Sequence, residues 1–237
     1  MVVVGFPTRF EAAGLIRALQ GVKKNEVGKC PYFQGCFGET QVVVAVLGMG
    51  SVHSAQHMRL LLELFSPRLF ILAGFAGALV KGLEKGQVFL VEDGCSETLK
   101  KRLKGLKKMD AARAYSTRQP ITSVEEKEWL AEASGCQLVD METTAVFAVA
   151  QEKGMEMLTV RVVSDLADER LPSALAKGYD FIEARETPWR FFFYLFFHPH
   201  QLAPFLKFLI PLFSARGKFT RFLLPIIQEA DLALVQV

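Results

Sequence analysis

The sequence predicts one α/β domain: a mixed, mostly parallel central sheet flanked by helices on both faces. Two observations predict it. Strand-length apolar runs, rich in valine, recur at residues 2–4, 41–47, 70–73, 87–91 and 157–163,. Stretches of helical spacing follow several of them, and a repeated β-then-α order builds a largely parallel sheet that must be covered on both sides. Length agrees with this, since 237 residues at 51% hydrophobic, with 20 phenylalanines, supply one substantial core,.

The elements follow in order. Val2, Val3 and Val4 open the first strand, and Gly5-Phe6-Pro7-Thr8-Arg9 turns it into a helix over residues 11–19. Arg9 and Glu11 then fall at a strand-to-helix junction, where backbone N–H groups and the helix dipole favour an anion. Glu11 can equally be an acid that complements the dipole and nothing more. The strand over 41–47 closes on Gly48-Met49-Gly50-Ser51 before a helix over 53–64. Gly48 and Gly50 let backbone approach a ligand, or serve only a tight turn. The strand over 70–73 runs into a second glycine turn, Gly74-Phe75-Ala76-Gly77, and the strand over 87–91 comes next.

Between Gly94 and Ser123 the pattern weakens. Lys100, Lys101, Arg102, Lys104, Lys107 and Lys108 form a basic run on a short helix, either a solvated face or a contact for an anionic surface,. A helix over 125–133 follows, with Ser123 as N-cap and Glu126 completing a capping box,.

Residues 139–168 concentrate the chemistry. A helix over 143–152 carries Ala145, Val146, Val149 and Ala150 on one face and ends at Gly154,. The strand over 157–163 is apolar except for Arg161,. Asp140 and Glu142 lie just before that helix, and Ser164 and Asp165 just after that strand. Side chains at strand ends of an α/β sheet reach ligands, so carboxylates from separate elements can meet in one cleft.

From Pro188 the composition changes. The aromatic run over 191–197 is followed by His198, Pro199, His200, Pro204, Lys207 and Pro211 among apolar residues, and no uninterrupted apolar run is long enough to span a bilayer,. The segment either packs as core or oligomer interface, or lies on a membrane with Arg190, Lys207, Arg216, Lys218 and Arg221 at the headgroups,. The division is therefore an α/β domain over 1–187 and a Phe-rich helical extension over 188–237, packed on the same domain.

Composition excludes other classes. A net charge of +3 argues against a nucleic-acid binder,. Cys30, Cys36, Cys95 and Cys136 form no CxxC pair, and His198 and His200 lack a third ligand, so neither a disulfide framework nor a metal site is expected,. Free thiols suit a reducing cytoplasm. The opening MVVVGF has no basic flank and reads as a strand, not a signal peptide,.

The blocks VDMETTAVFAVA and VRVVSDLAD, preceded in order by GMGSVHSA and GFAGALVKGLEKGQVFLVED, resemble the signature of the nucleoside phosphorylase and nucleosidase superfamily. That superfamily includes purine nucleoside phosphorylases and methylthioadenosine/S-adenosylhomocysteine nucleosidases, and the likeness covers residues 2–168. TSVEEKEWLAEASGCQLVDMET, SDLADERLP and HPHQLAPFLKFL are further similar to the hopanoid-associated phosphorylase group, which is associated with removing adenine from adenosylhopane. The resemblance implies a phosphorylase/hydrolase-like fold that cleaves the N-glycosidic bond of a purine nucleoside by phosphorolysis or hydrolysis. The implied substrate class is a 5′-substituted, lipid-linked adenosine. It implies no metal or organic cofactor, with inorganic phosphate as an optional co-substrate. It also implies a homo-oligomer in the cytoplasm, with peripheral contact to the inner membrane face as an option.

By position, Glu142 resembles the ribose-binding glutamate, with Met141 beside the sugar. Asp165 resembles the aspartate that protonates purine N7, a role that burial supports, with Ser164 and Arg161 orienting and balancing it. Asp140 and Asp168 read as structural. The nucleophile divides the reading: Glu11 resembles the acid that activates water, whereas the turn ending in Pro7 and Arg9 resembles a phosphate site. Phe75 stands where many members have serine, and Leu72 where hexameric phosphorylases carry a phosphate-binding arginine. Both departures weaken the phosphate site. Ser51, or backbone amides over 74–77, are the available substitutes, and Gly50 and Gly74 join the list of substrate-contacting positions. The rival reading is a non-catalytic purine-nucleoside-binding protein that keeps the fold, with Phe75 as its only support.

Overall fold

The computed structural model describes residues 1–97, 99, 110–172, 179–180 and 185–233. Its spine is β1 (Val2–Phe6), buried at every position. Helix α1 (Arg9–Ala18) follows, then a hairpin of β2 (Gln20–Val27) and β3 (Cys30–Phe37), then β4 (Thr40–Val46), helix α2 (Ser51–Leu64) and β5 (Leu69–Ala78). Short strands β6 (Val88–Val91), β7 (Asp110–Ala112) and β8 (Ala114–Ser116) lead to α3 (Val124–Ser134), β9 (Leu138–Asp140), α4 (Thr143–Glu152) and β10 (Met157–Asp165). After the small pair β11 (Tyr179–Asp180) and β12 (Arg185–Glu186) come α5 (Pro188–Phe197) and the long α6 (Leu202–Ala233).

The main sheet runs β2-β3-β4-β1-β5-β10-β6-β7, with β9 and β8 branching from β5. Its centre is parallel, with β1 between β4 and β5, and β5 paired to β10. Antiparallel pairs sit towards the edges and at β9. Side-chain alternation along β1 divides the core. Val2, Val4 and Phe6 pack with Leu15 of α1 and with Phe219 and Leu223 of α6, whereas Val3 faces Met58 and Leu61 of α2 and Val146 and Val149 of α4,. Helices therefore cover both faces, as a parallel centre requires.

Two expectations change, and one hairpin is new. The glycine turn expected over 74–77 does not exist: β5 continues through it to Ala78, paired with β10 along the way. Gly74 serves close approach, because a Cβ there would meet Arg161 Nη1 at 2.5 Å, Pro7 Cδ at 2.9 Å and Glu11 Oε1 at 3.0 Å. The turn expected to begin at Gly5 begins two residues later, with Gly5 and Phe6 inside β1. The hairpin of β2 and β3 had no apolar run to reveal it, since β2 is exposed along nearly its whole length.

The C-terminal extension divides by face. The inner side of α6 is core, with Ala215, Phe219, Leu223 and Ile227 buried and Phe219 edge-on to Phe6 at 6.4 Å. The outer side of α6, and α5, carry exposed aromatics. The basic run at Lys100, Lys101, Arg102, Lys104, Lys107 and Lys108 lies outside the described residues.

Candidate active site

The site forms where the end of β1 meets the middles of the parallel strands β5 and β10. Thr8 caps α1 and builds a capping box with Glu11, the reciprocal pairing that its Thr-x-x-Glu spacing permits,. Glu11 Oε2 accepts from the Thr8 N–H at 2.9 Å and from its hydroxyl at 2.5 Å. Its other oxygen, Oε1, turns to β5 and accepts the Phe75 N–H at 2.7 Å. Glu11 is thus both a cap and a member of the site. Burial pushes its carboxyl above the ordinary range, against the opposing pull of the Thr8 hydroxyl, the Phe75 N–H and Arg161,.

Glu142 sits between β9 and α4. Its Oε1 accepts the Gly50 N–H at 2.9 Å, so the loop from β4 to α2 is held against it. Gly50 has φ 91°, a conformation that favours glycine, and Met141 Cε lies 4.0 Å from where a Cβ on Gly50 would be,. Glu142 Oε2 accepts from Arg161 Nη2 at 3.2 Å. Burial is the largest influence on Glu142. Arg161 and the Gly50 N–H oppose it, Asp140 and Glu11 add to it, and the carboxyl ends up at about 7.

Arg161 is fully buried in the middle of β10. Its Nη2 meets Asp140 Oδ2 at 2.6 Å and Thr143 Oγ1 at 3.2 Å, besides Glu142. Burial works against its charge, but Asp140, Glu142 and Glu11 together outweigh burial and hold the guanidinium above its ordinary value. Asp140 also accepts the Ser116 hydroxyl at 2.6 Å, so it fixes the arginine from behind. Arg161 Nε and Nη1 have no hydrogen-bond partner among the described residues. Nη1 and Glu11 Oε1 both lie within 3.0 Å of the point a Gly74 Cβ would occupy. A carboxylate oxygen and an unpaired N–H thus both press against a residue where no side chain would fit.

At the far end of β10, Asp165 Oδ2 receives Lys127 Nζ at 2.5 Å, and Ser164 Oγ lies 2.5 Å from its Oδ1 and 3.1 Å from the Ala76 carbonyl. Lys127, on α3, is itself fully buried and donates to the Leu166 and Glu169 carbonyls at 2.6 Å and 2.9 Å. Three acceptors therefore occupy all three ammonium hydrogens.

A family model described as the phosphorylase superfamily matches residues 1–114 and 98–187. The chain belongs to the phosphorylase superfamily. It is similar to the 5′-methylthioadenosine/S-adenosylhomocysteine nucleosidase of Thermotoga maritima, 24% identical over 199 residues that span 76% of this chain and 91% of that one. The nucleosidase of the same name from Oceanobacillus iheyensis is 31% identical over 83 residues, 35% of this chain and 36% of the relative. Among solved structures, the corresponding nucleosidase of S. pneumoniae with a transition-state inhibitor gives a TM-score of 0.71 at 17% identity, covering 95% of this chain and 97% of that one. Futalosine hydrolase of Helicobacter pylori gives 0.60 at 20% identity, covering 69% and 87%. At these identities the structural likeness carries the fold.

In this superfamily member the expected residues separate into two groups. Glu11, Gly74, the Phe75 amide, Arg161, Glu142, Gly50 and Met141 gather in one neighbourhood. Ser164 and Asp165 stand further along β10. Arg161 was expected to balance Asp165, and it does not: its partners are Asp140 and Glu142. The two residues are four positions apart, roughly 13 Å of strand, and an irregularity in the β5 pairing falls between Val163 and Asp165. The cation beside Asp165 is Lys127. The sequence held a signal for it, since Lys127 stands three and four positions before Leu130 and Ala131 on the inward stripe of α3,. Arg9 is exposed, with its guanidinium 5.9 Å from the Phe33 ring centre. The Phe75 ring packs towards Phe10, with ring centres 6.2 Å apart, and its backbone alone faces Glu11.

Proposed function

We propose that this protein hydrolyses the N-glycosidic bond of a purine nucleoside, releasing adenine from a 5′-substituted adenosine. The observation that carries the reading is the convergence of Glu11 Oε1 and the unpaired Arg161 Nη1 on the backbone of Gly74. A water bound by both would accept from the guanidinium, which orients it, and donate to the carboxylate, which takes its proton. Glu142, already ordered by Gly50 and Arg161, keeps lone pairs for two ribose hydroxyls. Such charge-assisted bonds contribute about 1.5–3 kcal/mol each. Asp165, ion-paired with Lys127 in the free protein, takes up a proton from solvent and passes it to the departing base,.

Charge favours water over phosphate as the nucleophile. Three buried acids, Glu11, Asp140 and Glu142, surround one guanidinium. A phosphate anion entering beside them would meet repulsion of about 3 kcal/mol per unit-charge pair at roughly 5 Å. The named nucleosidases among the relatives agree with hydrolysis.

The 5′ substituent in this reading is bulky and apolar, as in an adenosine joined to a hopanoid. Supporting it is a chain of rings that leads outward from Glu11: Phe75 to Phe10 at 6.2 Å and Phe10 to the half-exposed Phe213 at 5.1 Å.

The test is adenine release from methylthioadenosine, S-adenosylhomocysteine and a 5′-alkyl adenosine, with and without phosphate. Hydrolysis predicts free ribose product in phosphate-free buffer and a loss of roughly 10²–10⁴ in Glu11→Gln. Release only with phosphate, as the sugar 1-phosphate, would make the protein a phosphorylase. Binding of these nucleosides without any turnover would leave a binding protein.

A further inference from the structure

We propose that the outer face of α5 and the first half of α6 is a docking surface for an anionic lipid bilayer, on which the helices lie flat. On α5, Trp189, Phe193, Phe196 and Phe197 recur at helical spacing on one side, and Trp189 and Phe196 are 78% and 80% exposed,. On α6, Leu202, Leu206, Ile210 and Phe213 continue the exposed stripe, while Phe205, Leu212 and Ala215 on the opposite side are buried. The stripe is too large and too aromatic to be ordinary solvated surface. No helix among the described residues is long and apolar enough to cross a membrane, so burial to the depth of one helix face is the available mode,.

Charge decides what covers this face. From residue 187 to residue 228 the sequence contains no aspartate or glutamate, but five basic residues: Arg190, Lys207, Arg216, Lys218 and Arg221. Arg190, Lys207, Lys218 and Arg221 are exposed. A second copy of the same face would bring like charges together, which is unfavourable. An anionic headgroup layer satisfies both features at once, taking the rings below and the cations at its surface. Arg216 is the exception: it is held inward, its guanidinium 4.5 Å from the Phe10 ring centre and 5.0 Å from that of Phe213. Through Phe213, Phe10 and Phe75 the apolar face abuts the backbone that positions Glu11. A molecule held in the bilayer would therefore meet the protein on the side of the site. The docking itself is independent of the reaction assigned above.

The experiment uses the full chain and vesicles of equal parts phosphatidylglycerol and phosphatidylcholine, with phosphatidylcholine alone as the comparison. Trp189 is one of only two tryptophans, so Trp129→Phe on the exposed face of α3 leaves it as the reporter. Expected are flotation with the anionic vesicles, a blue shift of Trp189 emission, and binding weakened at least tenfold when salt rises from about 0.1 M to about 0.5 M. The exposed-site variant Phe193→Asp/Phe196→Asp should lose flotation while keeping its circular dichroism and its nucleoside affinity. Absence of flotation by the unmodified chain overturns the proposal. So does flotation that survives in the double variant. A double variant that changes only the molar mass in solution, with no vesicle binding by either protein, assigns the face to a second copy and overturns it equally.

Discussion

Replacing Glu142 with glutamine should make the free protein more stable, and more so as pH rises. Burial and two neighbouring acids lift the Glu142 carboxyl from 4.5 to about 7, despite Arg161 and the Gly50 N–H. The folded state therefore holds a proton that the unfolded state has already lost between those values. With more protons bound in the folded state, stability falls as pH rises. The contribution is complete below pH 4.5 and gone once pH has climbed through 7, an overall loss of roughly 3 kcal/mol. Glu142→Gln removes this titration. Glutamine can still accept the Gly50 N–H, and its poorer match to Arg161 is an offset that does not vary with pH. The stability difference, variant minus wild type, should therefore grow by most of that roughly 3 kcal/mol between pH 5 and pH 8. In a domain of this length that corresponds to roughly 5–10 °C in melting temperature. Urea unfolding or thermal melts at four pH values in that interval measure it. A difference that is flat across the interval, or largest at pH 5, would refute the placement of Glu142 as a carboxylate destabilised by burial. The same variant should lose nucleoside binding, because the ribose then meets an amide where two hydroxyl donors need a carboxylate.

Other perturbations act on neighbouring parts of the site. Lys127→Met strands Asp165 in a buried position and should cost about 3–5 kcal/mol of stability in denaturant unfolding. Adding Asp165→Asn should return much of it, and strictly additive losses would show that the pair is not coupled. Gly74→Ala places a Cβ 2.5 Å from Arg161 Nη1 and should lower kcat by at least tenfold with a destabilisation of about 1–3 kcal/mol,. Unchanged kcat would show that the nucleophile does not sit beside Gly74. The acid limb of the pH–rate profile should lie above the ordinary glutamate range, because burial raises Glu11 and only its ionised form takes a proton from water,. Glu11→Asp should keep the limb at low activity, and Glu11→Gln should leave only the part that Glu142 sets at about 7; a limb unchanged in shape would show that Glu11 takes no proton from water.

Much of this site could be read from the chain because its residues sit at element boundaries, where turn and cap chemistry leaves local marks. Thr8 and Glu11 announce a helix start, and Glu142 falls one residue before α4. Gly74 was misread for a physical reason: glycine marks a turn when it supplies unusual φ, but here it supplies absent volume inside a strand, and spacing alone does not distinguish the two,. The partner of Asp165 was missed because α3 has charged residues on most sides, and a lysine among glutamates looks solvated until the fold turns its stripe inward. The two faces of α6 show a further limit. Residues at the same composition and spacing become core at Phe219 and exposed surface at Phe213, and only the position of β1 and α1 beneath the helix decides which.

The charge balance links the stability of the site to its chemistry. Among the described residues Arg161 is the cation that pairs with this group of acids, and Asp140 neutralises it most closely, at 2.6 Å. What remains is a pair of carboxyls raised by burial, Glu142 also by Asp140 and Glu11, a standing destabilisation of the empty protein. In the proposed reaction the sugar becomes cationic as its bond to the base lengthens, within reach of both groups. The field that burdens the folded state at rest then meets the charge it complements, and it does so only near the transition state, where stabilisation accelerates the reaction. The same field disfavours an attacking anion and leaves a neutral water unaffected. A single electrostatic arrangement thus links the excess of buried acid, the proposed use of water as nucleophile and the predicted gain in stability of Glu142→Gln at the expense of activity.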